Sequence, residues 1–162
     1  PEGLTIAQMA ELRPNPSAFI EAARTSPLIQ QINPGGASLE GYLMPSTYFF
    51  DEIPTDEEVL DTMTAQFRKV WDELAAKYPE AMNRPQHEIL TIASLIEEEA
   101  RSDEERADIA AVIYNRLEIG MSLDMDSTLH YALGKYGQRR LNRDKEVDSP
   151  DNTYRNPGLP PG

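Results

Sequence analysis

Cysteine is absent from the 162 residues. That removes disulfides, thiolate nucleophiles and cysteine-based zinc sites together. Histidine is scarce, with only His87 and His130. They stand far apart, with no HExxH-type spacing, so no metal site is expected of them. His87 is expected in the first turn of a helix, and His130 to pack or hydrogen-bond. Positive charge is also in short supply: 15 Lys and Arg against 28 Asp and Glu give a net charge of −13. A field of that sign repels a polyanion, so nucleic acid is not an expected partner. No apolar run approaches the roughly 18 residues that span a membrane, and neither a signal peptide nor an internal repeat is visible. The chain opens at Pro1 and closes on GLPPG, and both ends read as cuts in a longer protein.

What is present suffices for a folded domain, since 40% of the residues are hydrophobic in a chain of ordinary single-domain length. Thr5 is a candidate N-cap for a helix over 6–12, stopped by Pro14, and Ser17 starts a second segment reaching Ala23. Residues 26–38 carry Pro27, Pro34, Gly35 and Gly36 and read as a loop. Residues 39–50, LEGYLMPSTYFF, are aromatic and apolar around Pro45, which suits a short strand or an irregular packed segment. Thr55 and Glu58 make a capping box. Behind it Leu60, Met63, Phe67, Val70, Trp71, Leu74 and Tyr78 recur at helical spacing, with Trp71 expected in the core. Pro85 opens a further helix. Ser102 with Glu105 suggests a second capping box, for a helix through Leu117 that Gly120 ends. Asp126 is a candidate cap for a short helix ending at Gly134. From Ser149 onward Pro and Gly impose irregular backbone. The expected fold is α+β, predominantly helical with little strand. It divides into an arm and linker over 1–38 and a main body over 39–162.

The stretch 90–100, LTIASLIEEEA, carries the most chemistry. At about 100° per residue, with Ile89 at zero, Ala93, Ile96 and Ala100 fall within about 40° of it. Leu90 flanks this stripe on one side, and Ile92 and Leu95 on the other. Glu98 then lies on the polar face beside Thr91 and Ser94. Glu97 and Glu99 lie on opposite apolar flanks, where packing partly encloses them. A carboxyl held against apolar groups has its charged form disfavoured, so its pKa rises and it can serve as a general acid near neutral pH. Geometry leaves Glu97 and Glu99 as alternatives, beside the bland reading that three glutamates decorate a helix end.

One neighbouring motif misleads. DMDSTL, residues 124–129, has the D-x-D-x-T form that opens dehalogenase-type phosphatase sites. Only MSL precedes it, after a helix and Gly120, and too little chain follows to complete such a site. As a calcium loop it would put Leu129 where Gly is needed and Lys135 where Glu is needed.

Taken together, LEGYLMPSTYFF, LTIASLIEEEA, IAAVIYNRLEIGMSLDMDSTLHYALG and SPDNTYRNPGLPPG resemble successive motifs of the YceG-like (MltG) endolytic murein transglycosylases. The opening PEGLTIAQMAELRP also resembles the family segment that leads into the catalytic region. The order is the family's, over nearly the whole chain. The resemblance implies a lysozyme-like transglycosylase catalytic domain, with residues 1–38 as the end of a LysM-like region. It makes Glu99 the catalytic residue, as the last Glu of an apolar-E-x-E segment. Glu97 is then structural, paired with an arginine such as Arg116. Asn115, Asp126, Thr128, Tyr131, Asn152, Thr153 and Tyr154 match positions implied to bind substrate. Arg116, Glu40, Tyr42 and Pro45 match further family positions. The chain departs from the pattern at Asp151 (usually Tyr), Asp124 (often Gln) and Ser127 (often Pro), and it stops at GLPPG where family members continue.

The implied reaction is non-hydrolytic cleavage between N-acetylmuramic acid and N-acetylglucosamine within a glycan strand, leaving a 1,6-anhydro end. One carboxyl acts as acid and then base, with no cofactor and no metal. The implied partners are peptidoglycan glycan strands and, for the parent protein, peptidoglycan synthases. The implied place is the outer side of the bacterial inner membrane, reached through an N-terminal anchor outside this chain. Two alternatives stand beside it. A lysozyme-like hydrolase would need a second carboxylate, for which Asp126 and Asp151 are candidates. A glycan-binding or scaffold module would need no turnover.

Overall fold

The computed structural model describes residues 2–139 and 141–162, which are predominantly helical and contain no strand. The chain divides into two compact units, Pro1–Arg84 and Pro85–Gly162.

In the first unit, α1 (Ile6–Ala10), α2 (Pro16–Thr25), α3 (Leu28–Ile32) and α4 (Asp56–Lys77) follow one another. Thr5 caps α1 in a box with Gln8, and Asn15 rather than Ser17 caps α2. The five-residue α3 lies inside the stretch expected as a loop. It is too short to show a period, yet Ile29 and Ile32, three apart, both face inward. The Thr55–Glu58 capping box forms as expected, with Thr55 N–H donating to Glu58 at 2.8 Å and Glu58 N–H to Thr55 Oγ1 at 3.2 Å. Such a cap contributes about 1 kcal/mol. Only the first half of the α4 stripe is sealed: Leu60, Thr64 and Phe67 are buried, while Leu74 and Tyr78 are exposed. Trp71 is half-buried and stacks on Phe67 at 6.0 Å.

Residues 39–50 take the irregular alternative, so the little strand allowed there is not found. Leu39, Tyr42 and Leu43 are buried, and Tyr42 meets Phe67 edge-on at 5.2 Å. Burial pushes the Tyr42 phenol up to about 12. The Glu40 carboxylate accepts from Ile6 N–H at 3.1 Å, capping α1 from a distance. Burial raises its pKa against the opposing effect of the Ile6 and Gly41 amides.

In the second unit, α5 (Gln86–Glu99), α6 (Arg106–Glu118) and α7 (Asp126–Leu133) follow one another, with a 3-10 turn at Asp103–Glu105 between α5 and α6 and another at Asn142–Glu146 after α7. Helix α5 packs against both α6 and α7. Ile92, Leu95, Ile113, Leu123 and Met125 form the core, with Ile96, Ile109, Leu117 and Leu159 against it. The second capping box does not form. Ser102 makes no side-chain cap, Glu105 accepts from the Arg101 amide at 2.8 Å, and α6 begins one residue later. Gly134, at φ +61°, ends α7 in the left-handed conformation that glycine adopts without steric cost. The final residues return to α5, where Pro161 C=O meets His87 Nε2 at 2.5 Å.

Ile113 is fully buried at the centre of this unit. Replacing it with Ala is expected to cost about 2–5 kcal/mol, read as a lowered midpoint of urea unfolding.

Candidate active site

The inward face of α5 is not the one drawn from the apolar spacing. Thr91, Ile92 and Leu95 are buried, whereas Ala93 and Ser94 are exposed. The buried face is turned by about a third of a turn from the Ile89–Ala93–Ile96 line. Thr91, placed on the polar side by its helical angle, is inside because the carboxyl-terminal segment covers it. An added Cβ on Gly162 would stand 3.0 Å from the Thr91 hydroxyl.

This rotation separates the three glutamates. Ile92, Leu95 and Glu99 share a helix face at i, i+3 and i+7, so Glu99 continues the buried line to the helix end and is half-exposed. Glu97 points away. Its side chain is 39% exposed and pairs with Arg106 at 2.7 Å, not with Arg116. Arg116 instead bonds the Leu123 carbonyl. Glu98 is exposed as a residue. Partial desolvation nonetheless pushes its carboxyl up, reinforced by repulsion from Glu97 and Glu99 and opposed by attraction to His130. The upward push expected of an enclosed glutamate is therefore seen at Glu98. What marks Glu99 is position and partner.

That partner is the start of α7. Helix first turns have amides with no partner inside the helix, and the N-cap of α7 is Met125, which makes no side-chain cap bond. Glu99 Oε1 accepts from Ser127 N–H at 3.2 Å, so the last residue of one helix caps the next. Glu99 Oε2 makes no hydrogen bond among the described residues.

Asp126 is the first residue of α7 and not its cap. Its Oδ1 accepts from Tyr154 O–H at 2.5 Å. Lys145 Nζ lies 4.1 Å from the centre of the Tyr154 ring, within range of a cation–π attraction. Tyr154 and Asp126 are both half-buried, so each keeps some surface for a ligand.

Three residues expected at substrate face the protein. Asn152, Thr153 and Thr128 are 0%, 1% and 3% exposed. The Asn152 amide donates to the Lys145 and Val147 carbonyls, and its oxygen accepts from Tyr154 N–H at 3.0 Å. Thr153 Oγ1 accepts from Met125 N–H at 3.0 Å and lies 2.9 Å from Thr128 Oγ1. Thr128 Oγ1 donates to Met125 C=O at 2.8 Å. Burial leaves them no surface to offer a sugar. Asn115 and Tyr131 are exposed, on α6 and α7. Among the candidate second carboxylates, Asp126 adjoins Ser127. Asp151 is raised mainly by burial, against hydrogen bonds from the Gly162 amide and Ser149.

Several contributors escape sequence reading. The Ser127 amide has no side-chain signature, and Arg106 and Lys145 lie in charge-rich stretches. His130 is half-buried, and its Nε2 is buried without a hydrogen bond, so it packs as one of its two expected roles required.

A helical unit that seats one inward carboxylate on the start of a second helix, beside a Tyr–Asp pair, defines a carboxylate-based site on a helical scaffold. The chain belongs to the YceG-like family, which residues 1–162 match throughout. It is 44% identical over 128 residues to the endolytic murein transglycosylase of Bacillus subtilis (strain 168), which covers 76% of this chain and 34% of that protein. The endolytic murein transglycosylase of Streptococcus pneumoniae serotype 2 (strain D39) is 42% identical over 131 residues, 76% of this chain and 23% of that protein. A crystal structure of a yceG-like protein from Listeria monocytogenes superposes with a TM-score of 0.88 at 32% identity, covering 100% of this chain and 59% of that one. The chain thus spans well under half the length of these two curated relatives.

The 3-10 turn that supplies Lys145 is itself anchored by Asp144, buried and paired with Lys135 Nζ at 2.7 Å and Leu141 N–H at 2.7 Å. The Lys135 bond, ahead of the Leu141 amide, holds the Asp144 carboxyl below its ordinary 3.8. A depressed carboxylate pKa stabilises the fold above about 3.8, and that contribution is lost as pH falls through the folded-state value. Asp144→Asn is therefore expected to lower the melting temperature at pH 7. The gap from wild type should narrow as pH drops below about 3.8, which a melting series across pH checks.

Proposed function

We propose that this chain is the catalytic part of an endolytic peptidoglycan lytic transglycosylase and that Glu99 is its acid and base. The observation that carries the reading is the Glu99 carboxyl. It ends the buried face of α5, its Oε1 is fixed by Ser127 N–H, and its Oε2 is left for a proton. The names of the Bacillus and Streptococcus relatives, and a family match over the whole chain, support the substrate class.

In the first step protonated Glu99 gives its proton to the glycosidic oxygen as the bond to C1 of N-acetylmuramic acid breaks. The N-acetylglucosamine side leaves with that proton on its hydroxyl. Positive charge spreads over C1 and the ring oxygen, near the carboxylate just formed. The C6 hydroxyl of the same muramic residue then attacks C1 and loses its proton to Glu99. A 1,6-anhydro ring results and the acid is regenerated. Because an internal hydroxyl replaces water, a single carboxyl serves both steps, whereas most glycosidases need two. The exposed Tyr154 surface and Asp126 are the proposed sugar contacts, with Asn115 and Tyr131 as outer ones. Tyrosine offers a ring face and a hydroxyl to a pyranose.

Residues 39–162 are the proposed catalytic region, of lysozyme-like type, with 1–38 leading into it. The parent protein is proposed to sit on the outer side of the cell membrane beside peptidoglycan synthases. Among the described residues no helix is long and apolar enough to cross a membrane.

Uncrosslinked glycan strands incubated with the chain should shorten and gain anhydro-muramic ends by mass spectrometry. Glu99→Gln should lower the rate by about 10²–10⁴-fold or more, and Glu98→Gln should leave most of it. Reducing ends instead of anhydro ends would establish the hydrolase. Glycan binding without cleavage, here and in the full-length protein, would establish the binding module.

A further inference from the structure

The loop that launches α7 is fixed from several sides. Arg116 bonds the Leu123 carbonyl. Asp124 N–H donates to the Thr153 carbonyl at 3.3 Å, and Met125 N–H donates to the Thr153 hydroxyl at 3.0 Å. Asp124 stands at φ +52°, the only non-glycine residue with positive φ among those described. A residue bearing a side chain persists there only where its surroundings dictate it.

One assignment of protons satisfies every contact in this cluster. Thr128 Oγ1 gives its proton to Met125 C=O at 2.8 Å. The 2.9 Å contact between the two threonine hydroxyls must then be donated by Thr153. Thr153 in turn accepts from Met125 N–H. The chain of donation runs from the Met125 amide through two hydroxyls to the Met125 carbonyl, and each hydroxyl donates once. It is a closed ring around one peptide position, two residues before the amide that holds Glu99. All three residues are buried. Val in place of either threonine preserves the shape and removes the ring.

We infer that this hydroxyl ring is a positioning device for the reactive carboxyl and that Thr153 is a positioning residue, acting through Met125 and the Ser127 amide on Glu99. The inference rests on the reading of Glu99 as the acid and base. It gives the buried middle residue of the Asn-Thr-Tyr segment a role in turnover without contact to substrate. A small displacement of a reacting group suffices to cost a large factor in rate.

The test compares wild type, Thr153→Val, Thr128→Val and Thr153→Ser on uncrosslinked glycan strands, with amide hydrogen exchange measured on the same proteins. Both Val variants should lower kcat by about tenfold to a hundredfold with KM unchanged, since bound substrate does not touch either residue. Thr153→Ser, which restores the hydroxyl, should recover most of the loss. The Met125 and Ser127 amides should exchange faster in the Val variants and return to protection in Thr153→Ser. Full kcat in Thr153→Val, while Glu99→Gln is inactive, would overturn the ring and leave the acid standing. A loss that the Ser variant fails to recover would reduce Thr153 to packing and overturn it too. Absence of cleavage by wild type, both here and in the full-length protein, would remove the transglycosylase reading. Amide exchange then decides the ring alone, and unchanged protection at Ser127 in Thr153→Val would overturn it.

Discussion

A helix that begins after a methionine has no side-chain oxygen with which to satisfy its first amides. Those amides, half-enclosed by protein, cannot all turn to water, and leaving one unpaired costs more than making the bond gains. Helix α7 is in that position, because Met125 is committed to the core. The acceptor comes from another helix, the terminal glutamate of α5. Once that bond is required, much of the unit is constrained by it. Helix α5 must end where α7 starts, its buried face must include Glu99, and the loop between α6 and α7 must deliver Ser127 in register. The hydrogen bonds that join Thr153, Thr128 and Arg116 with Leu123, Asp124 and Met125 are the means of delivery.

The same requirement explains why three consecutive glutamates have three different surroundings. One faces inward and caps a neighbour. One is neutralised in solvent by Arg106. The middle one carries the repulsion of both and the attraction of a half-buried histidine. Neutralising Glu97 reduces the negative charge crowded at this helix end, which lets one carboxylate there be kept for a local task in a chain of net charge −13.

Much of the helical framework was legible in the sequence. The Thr55–Glu58 box, the helix entry after Pro85 and the stop at Gly134 each rest on backbone chemistry local to a few residues, and each is found. Readings failed where a distant segment decides. Thr91 looks like a surface residue until the carboxyl-terminal residues lie over it, and that rotated the apparent apolar face of α5. Asp126 looks like an N-cap until Tyr154, 28 positions away, takes its carboxylate. One failure is local: Ser102 and Glu105 fit a capping box by spacing, yet a 3-10 turn intervenes. Spacing left Glu97 and Glu99 equivalent, and only packing against α7 distinguishes them. The motif resemblance singled out the Asn-Thr-Tyr segment as a group. It could not tell its inward pair, Asn152 and Thr153, from its outward-reaching Tyr154, because burial is a property of the fold and not of the motif.

Every bond that sets the register of α7 against the loop before it is made by amides, carbonyls, neutral hydroxyls or a guanidinium. None of these gains or loses a proton across the range in which carboxylic acids do. The loop before α7 therefore keeps these bonds while the carboxyl held by Ser127 changes charge. Protonation state and geometry, so often coupled in carboxylate sites that lean on histidines or other acids, are separated here by the choice of threonine.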